Sequence, residues 1–103
     1  MRKANRKTAP ALIASREEFE ASALSARWDE YLTLGYLPNQ YAVQILTDRD
    51  GAGARGLYVV YSYSTPIAWF DGETWTIPDV KYSPTTSRHQ HIVRYGVSLS
   101  GTD

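Results

Sequence analysis

A chain of 103 residues, 43 % of them hydrophobic and 13 % aromatic, is long enough to form one hydrophobic core and too short for two. It contains no cysteine, which excludes disulfides and cysteine-ligated zinc or iron–sulfur centres. The formal net charge of zero conceals clusters, because positive charge is concentrated in residues 1–7 and 81–94. An anionic partner would be attracted if the fold brought these two segments to one face, although solvated surface charge explains them equally well.

The N-terminal segment is predicted to be a mobile basic tail over residues 1–14, followed by a single α+β domain over residues 15–103. The tail shows no hydrophobic periodicity and begins with a basic run. Its short apolar stretch is broken by Pro10 and runs into charge, which matches neither a signal peptide nor a membrane span. We therefore expect a cytoplasmic protein with no membrane partner.

A helix is predicted to begin at Ser15. Ser15 and Glu18 have the spacing of a capping box, in which each side chain bonds a backbone N–H of the other residue. Leu24, Trp28 and Leu32 then recur every four residues and form one apolar stripe.

Residues 39–50 leave two interpretations open. Asn39 is a suitable cap for a helix that has Tyr41/Ile45 and Ala42/Leu46 at helical spacing and Gly51 beyond its end, but Tyr41, Val43 and Ile45 also alternate as in a strand. The glycine-rich residues 51–56 lack the lysine and hydroxyl of a phosphate-binding loop, so we interpret them as a plain loop.

The sheet is predicted within residues 57–83. Residues 57–63 are dense in β-branched and aromatic side chains, as expected of a central strand covered on both faces. Asp71-Gly72 predicts a two-residue hairpin, because both residues tolerate positive φ. In that register Ala68 faces Trp75 and Phe70 faces Glu73, so Trp75 is expected to be buried.

Two further predictions concern this sheet. Pro66 lacks an amide donor and is expected at a strand start or a sheet edge. Residues 80–82 are predicted to add a short fourth strand.

A last helix is predicted over residues 85–95. Ser83 or Thr86 can cap its start, Pro84 suits its first position, and Gly96 suits a left-handed exit. The expected fold class is therefore α+β: a small antiparallel sheet of three to four strands packed with two to three helices, which lie on one face.

The start of this helix is the candidate ligand site, because its free N–H groups favour an anion and its residues include positive charge and aromatic rings. A phosphate-bearing ligand, either a nucleotide or nucleic acid, is the expected partner, with tyrosine available for base stacking. Competing helix caps explain the same hydroxyls. The candidate binding residues are Lys81, Tyr82, Thr85, Thr86, Ser87, Arg88, His89 and Gln90.

Catalysis and metal binding are weakly indicated, and no cofactor is expected. His89 beside Ser87 or Thr86 could act as a general base, but no nucleophile motif surrounds any serine. On a helix His89 and His91 diverge by about 200°, whereas in an extended segment they would share a face, with Asp79 as a third ligand. We therefore predict a protein that is not an enzyme and holds no metal.

Two longer motifs carry a family resemblance: Tyr61-Ser-Tyr-Ser-Thr-Pro-Ile-Ala-Trp69 and Val80-Lys-Tyr-Ser-Pro-Thr-Thr-Ser-Arg-His-Gln90. They resemble a family of small actinobacteriophage proteins of unknown activity with a YSYxTPIAW…KYSxTTSxHQ pattern. The resemblance implies a phage-encoded accessory protein in the host cell and transfers no catalytic residues. The alternative function is a protein-binding module, which could be a homo-oligomer, that uses exposed tyrosine or tryptophan to inhibit or redirect a host protein.

Overall fold

The computed structural model describes residues 2–29, 31–53 and 56–100. Within these ranges the elements follow in the order β1 (Arg2–Lys3), α1 (Ala9–Ala14), β2 (Phe19–Glu20), β3 (Leu24–Asp29), α2 (Asn39–Gly51), β4 (Leu57–Ser62), β5 (Thr65–Phe70), β6 (Trp75–Thr76) and α3 (Pro84–Leu99). None of the helices in these ranges has the length and hydrophobicity needed to cross a membrane.

The described strands form one six-stranded sheet whose spatial order equals the chain order, β1-β2-β3-β4-β5-β6. The β1–β2 pair is parallel and the other pairs are antiparallel. The α+β class and the number of helices are as predicted, but the prediction of three to four antiparallel strands is wrong. The sheet is larger because β1, β2 and β3 come from segments that were expected to be a tail and a helix.

Residues 2–14 are ordered parts of the fold, so the expected mobile tail is wrong for them. Ala9, Leu12 and Ile13 of α1 are buried in the core, and Pro10 sits in the first turn, where its missing N–H costs no hydrogen bond. The predicted N-cap Ser15 instead ends α1, and Arg16 follows with a left-handed φ of 53°. The capping-box spacing of Ser15 and Glu18 therefore marks no helix start.

The helix predicted to begin at Ser15, with Leu24, Trp28 and Leu32 on one face, is replaced by β2 and β3. Every residue of β3 pairs with β4, from Leu24 opposite Ser62 to Asp29 opposite Leu57. Leu24 and Ala26 point into the core and the residues after each of them do not, which is the two-residue period of a strand. Pairing with the central strand outweighs the four-residue spacing that suggested a helix.

Residues 39–50 adopt the helical alternative. Asn39 is the first residue of α2 rather than its cap, and Ile45 is the residue of α2 that is fully buried. It packs against Leu57, Val59, Tyr61 and Trp69 on one face of the sheet, while α1 and α3 cover the opposite face. The prediction that the helices lie on one face of the sheet is therefore wrong. Of the predicted loop over residues 51–56, residues 54 and 55 lie outside the described ranges.

The central strand and the following hairpin are present, but the hairpin register differs. All six residues of β4 are buried, as predicted. Phe70 pairs with Trp75 and Trp69 with Thr76, so residues 71–74 form a four-residue turn instead of a two-residue one. The Asp71 carboxylate accepts the N–H groups of Glu73 and Thr74 at 2.8 Å, which stabilises the longer turn.

Pro66 is the second residue of β5, so it lies at the start of a strand as predicted, beside a register shift where its missing N–H is tolerated. Two details around this hairpin differ from the predictions. Trp75 is half-buried, not fully buried, and packs against Tyr58 and Phe70. Residues 80–82 do not form a strand.

Helix α3 spans Pro84–Leu99 and is longer than predicted. The Ser83 side chain accepts the N–H of Thr86, so Ser83 is the cap and Pro84 the first residue, as expected. Gly96 lies inside the helix and does not end it. Its buried position faces α1, where a side chain would collide with Pro10 and Ile13.

Candidate functional site

The eight predicted site residues lie on three different surfaces around the start of α3. Thr85, Arg88 and His89 line one cleft, and Tyr82 and Thr86 line a second. Lys81, Ser87 and Gln90 lie on a third surface. They separate because successive residues of a helix point about 100° apart. The structure therefore does not bring the predicted set into a single site.

The first cleft, here called the arginine cleft, has a volume of about 330 Å³. It lies between the segment after β1, the β2–β3 turn and the first turns of α3. Its polar lining residues are Asn5, Arg6, Ser22, Thr85, Arg88 and His89, and its apolar ones are Ala4, Ala21, Leu24 and Ile92. Arg6 and Arg88 thus meet here, and none of the described lining residues is acidic. The two positively charged segments of the sequence, residues 1–7 and 81–94, therefore meet at one face through these two arginines.

Arg6 is presented by a local turn that Asn5 organises. The Asn5 carboxamide oxygen accepts the N–H of Lys7 at 2.8 Å and that of Thr8 at 3.1 Å. This closed Asx turn fixes the backbone between β1 and α1. Arg88 projects from α3, which packs against α1, whereas Arg6 lies in the exposed turn between β1 and α1.

His89 connects the arginine cleft to the core. Its ring is 7 % exposed, and its Nδ1 lies 2.7 Å from Ser62 Oγ, which in turn lies 3.0 Å from Thr86 Oγ1. Burial, and secondarily the positive charge of Arg88, lower the pKa of His89 below its usual value. The neutral ring is therefore favoured at neutral pH, with Nδ1 bonded to the serine hydroxyl.

This serine–histidine contact does not present a nucleophile. Ser62 is 1 % exposed and its hydroxyl is already bonded to His89 and Thr86, so it is not presented for attack on a substrate. No carboxylate among the described residues bonds the His89 ring to orient it as a base. The trio of Ser62, Thr86 and His89 is a mutually satisfied polar group inside the fold.

The second cleft, here called the hydroxyl cleft, has a volume of about 210 Å³ and lies between the β4–β5 turn, the loop before α2 and the start of α3. Its lining includes the tyrosines Tyr36, Tyr63 and Tyr82. Its remaining lining residues are Ser62, Ser64, Thr65, Ser83 and Thr86. Every described side chain around it therefore carries a hydroxyl group, and none is charged.

The third surface mixes charges of both signs. Asp79, His91 and Arg94 accompany the three predicted residues there, and Gln90 Nε2 donates to the carbonyl of Val80 at 2.9 Å. Gln90 thus fixes the segment before α3. His89 is buried and His91 exposed on different sides of the helix. No group of three His, Cys, Asp or Glu within residues 2–29, 31–53 and 56–100 is arranged to hold a metal ion.

The sequence prediction missed the half of the arginine cleft that precedes β3. Asn5, Arg6 and Ser22 belong to segments that were interpreted as a tail and a helix. The cluster of positive charge before residue 8 was the available signal for Arg6.

These features define a small α+β protein with a mixed sheet, helices on both faces and two clefts beside α3. The chain belongs to a family of unknown function (DUF8033), which matches residues 35–99. The matched range contains the whole lining of the hydroxyl cleft and the α3 side of the arginine cleft, but not Arg6. No curated protein and no solved structure matches the chain.

Proposed function

We propose that this is a non-enzymatic binding protein that holds a phosphate-bearing ligand in the arginine cleft. The observation that carries the proposal is that Arg6 and Arg88, from opposite ends of the chain, line one cleft without an acidic neighbour. Guanidinium groups bind phosphate through paired N–H donors and keep their charge at all physiological pH values.

The cleft lining favours a small ligand over a nucleic acid strand. Its volume of about 330 Å³ lies at the lower end of ligand pockets. Ala4, Leu24 and Ile92 supply an apolar wall, and none of the described lining residues is Phe, Tyr or Trp, while the His89 ring is largely buried. Tyr82, expected to stack a base, lines the hydroxyl cleft instead. A phosphate monoester such as a mononucleotide, held by its phosphate rather than by its base, fits this lining best.

We also propose that the protein acts in a phage-infected cell. The resemblance of residues 61–69 and 80–90 to actinobacteriophage proteins supports a phage-encoded accessory role in the cytoplasm of the host cell. A binding protein that sequesters or senses a phosphorylated host metabolite is compatible with a cleft that presents no catalytic groups.

Calorimetric titration with adenosine monophosphate and with inorganic phosphate tests the proposal. Arg6→Ala and Arg88→Ala should each weaken phosphate-ester binding about tenfold or more, since each removes charge-assisted hydrogen bonds. Arg94→Ala is the matched control, because it removes the same charge from another surface of α3 and should change affinity less than about twofold.

Salt provides the second readout. Affinity should fall as ionic strength rises, because the attraction between an exposed phosphate and the arginines is screened. The proposal is wrong if Arg94→Ala weakens binding as much as Arg88→Ala, or if neither phosphate probe binds to the folded parent protein.

A protein-binding module is the second candidate, favoured by one observation. Tyr95 is 59 % exposed and Leu99 50 % exposed, and their spacing of four residues puts both on one face of α3. Such an aromatic–aliphatic pair can anchor a protein partner. A host protein retained at moderate salt by the parent, and lost with Tyr95→Ala, would support it; retention by both proteins would contradict it.

A further inference from the structure

We infer that the hydroxyl cleft is a second binding site, independent of the arginine cleft, for one unit of a neutral saccharide. Four of the lining residues, Tyr36, Tyr63, Ser64 and Ser83, are exposed, and each of their hydroxyls can donate and accept, as each hydroxyl of a sugar does. Ser62, Thr65 and Thr86 are buried and bonded within the fold, so they form the wall of the cleft and are not counted as ligand partners.

The described lining of the cleft is uncharged. No described side chain around the cleft is ionised at neutral pH, so neither an anion nor a cation would regain there the stabilisation that it loses on leaving water. The volume of about 210 Å³ corresponds to about seven water molecules, which suits one ring-sized unit and not an extended chain.

Two of the lining tyrosine rings are exposed. Tyr36 is 85 % and Tyr63 is 63 % exposed, although such rings usually lose solvent contact on folding. The face of an aromatic ring carries partial negative charge and attracts the C–H groups on the flat face of a sugar. Two exposed tyrosines at the rim of an uncharged cleft supply this stacking surface.

Both rings stand on a fixed backbone. The N–H of Tyr36 donates to Thr65 Oγ1 at 2.9 Å, and the N–H of Tyr63 donates to the carbonyl of Ala23 at 2.7 Å. Tyr63 has a φ of 57°, a left-handed conformation that a bulky residue adopts only where its surroundings impose it. Gly35 approaches the β4–β5 turn so closely that a Cβ there would lie 2.6 Å from the carbonyl oxygen of Ser64. A rigid rim lowers the entropy lost when a ligand binds.

Saturation-transfer NMR with a panel of neutral sugars tests the inference: glucose, galactose, mannose, N-acetylglucosamine and their methyl glycosides. We expect at least one member to show transfer to its ring C–H protons. Tyr36→Ala should weaken binding of that sugar about threefold to tenfold, whereas Tyr36→Phe keeps the ring and should bind within about twofold of the parent.

Tyr31→Ala is the matched control, since Tyr31 is 84 % exposed and does not line the cleft. It should leave sugar binding unchanged, as should Arg88→Ala, so the outcome does not depend on the phosphate site. The inference is wrong if no panel member shows transfer, or if Tyr31→Ala weakens binding as much as Tyr36→Ala. It is also wrong if an Ala-Pro-Ala-Pro peptide binds in a Tyr36-dependent manner more tightly than every sugar.

Discussion

His89 is the residue at which the core and the arginine cleft meet. It is buried, bonded to Ser62, and followed along the same helix face by Val93 and Gly96, which are also buried. Thr86, His89, Val93 and Gly96 are spaced by three, four and three residues, which is the period of one helix face. This spacing is visible in the sequence and would have placed Thr86 and His89 in the interior.

A pH titration of stability tests the burial of His89. Its pKa is lowered in the folded state, so the unfolded chain binds a proton first as the pH falls below about 6.5. Stability should therefore decrease as the pH falls from about 7.5 to about 5. In His89→Gln this contribution is lost, and the melting temperature should depend less on pH over the same range.

His91→Gln controls for the loss of a histidine, because His91 is exposed on another surface. It should retain the pH dependence of the parent protein. If acidification lowered the melting temperature of the parent protein and of His89→Gln by the same amount, a group other than His89 would cause the pH dependence.

The contact between α1 and α3 depends on a missing side chain at Gly96. A Cβ at this position would lie 2.9 Å from both the Pro10 carbonyl oxygen and Ile13 Cβ, inside the distance that packed atoms tolerate. Glycine therefore permits the two helices to approach, and this requirement outweighs its low helix propensity.

Gly96→Ala should destabilise the protein by about 1 to 3 kcal/mol, the usual cost of forcing atoms into a packed core. Gly51→Ala is the control, because its Cβ would have no neighbour within 4 Å, and it should be neutral or stabilise by up to about 1 kcal/mol. Urea unfolding of both variants measures the difference. Equal free energies of unfolding would contradict the close helix contact.

The elements that the sequence predicted well have strong local signals. β4 combines β-branched and aromatic residues, and α3 has a serine cap with a following proline. The hairpin was found but its register was not, because the Asp71 side chain bonds two later N–H groups and closes a longer turn. β3 was missed because its identity depends on pairing with β4, which no local pattern records.

At the scale of the whole molecule, the segment before Ser15 supports the fold. α1 covers the same sheet face as α3, and Lys3 forms an ion pair with Glu20 across the parallel β1–β2 pair. The structural role of this segment could not be predicted from its composition, because the short apolar run of α1 becomes helical through packing and not through its own propensity.

Deletion of residues 2–14 should therefore abolish cooperative thermal unfolding, whereas a mobile tail would be dispensable. A milder pair of substitutions gives a quantitative test. Ile13→Ala, at a fully buried position, should cost about 2 to 5 kcal/mol, and Ala11→Ser, at an exposed one, about 0.5 kcal/mol or less. Normal melting of the deletion variant would show that the domain begins after residue 14.

The identity of strand order and chain order has a consequence for how the protein is made. As the chain leaves the ribosome, each new strand meets a partner that has already been synthesised, so the sheet can grow from one edge, one strand at a time. The sheet face that α1 covers is completed later than the sheet itself. The second helix that packs on this face, α3, is the last described element of the chain. Until α3 emerges, that face keeps apolar surface open to water and to other chains. A chain that stops before residue 84 therefore leaves this apolar face of the sheet exposed, which favours aggregation over folding.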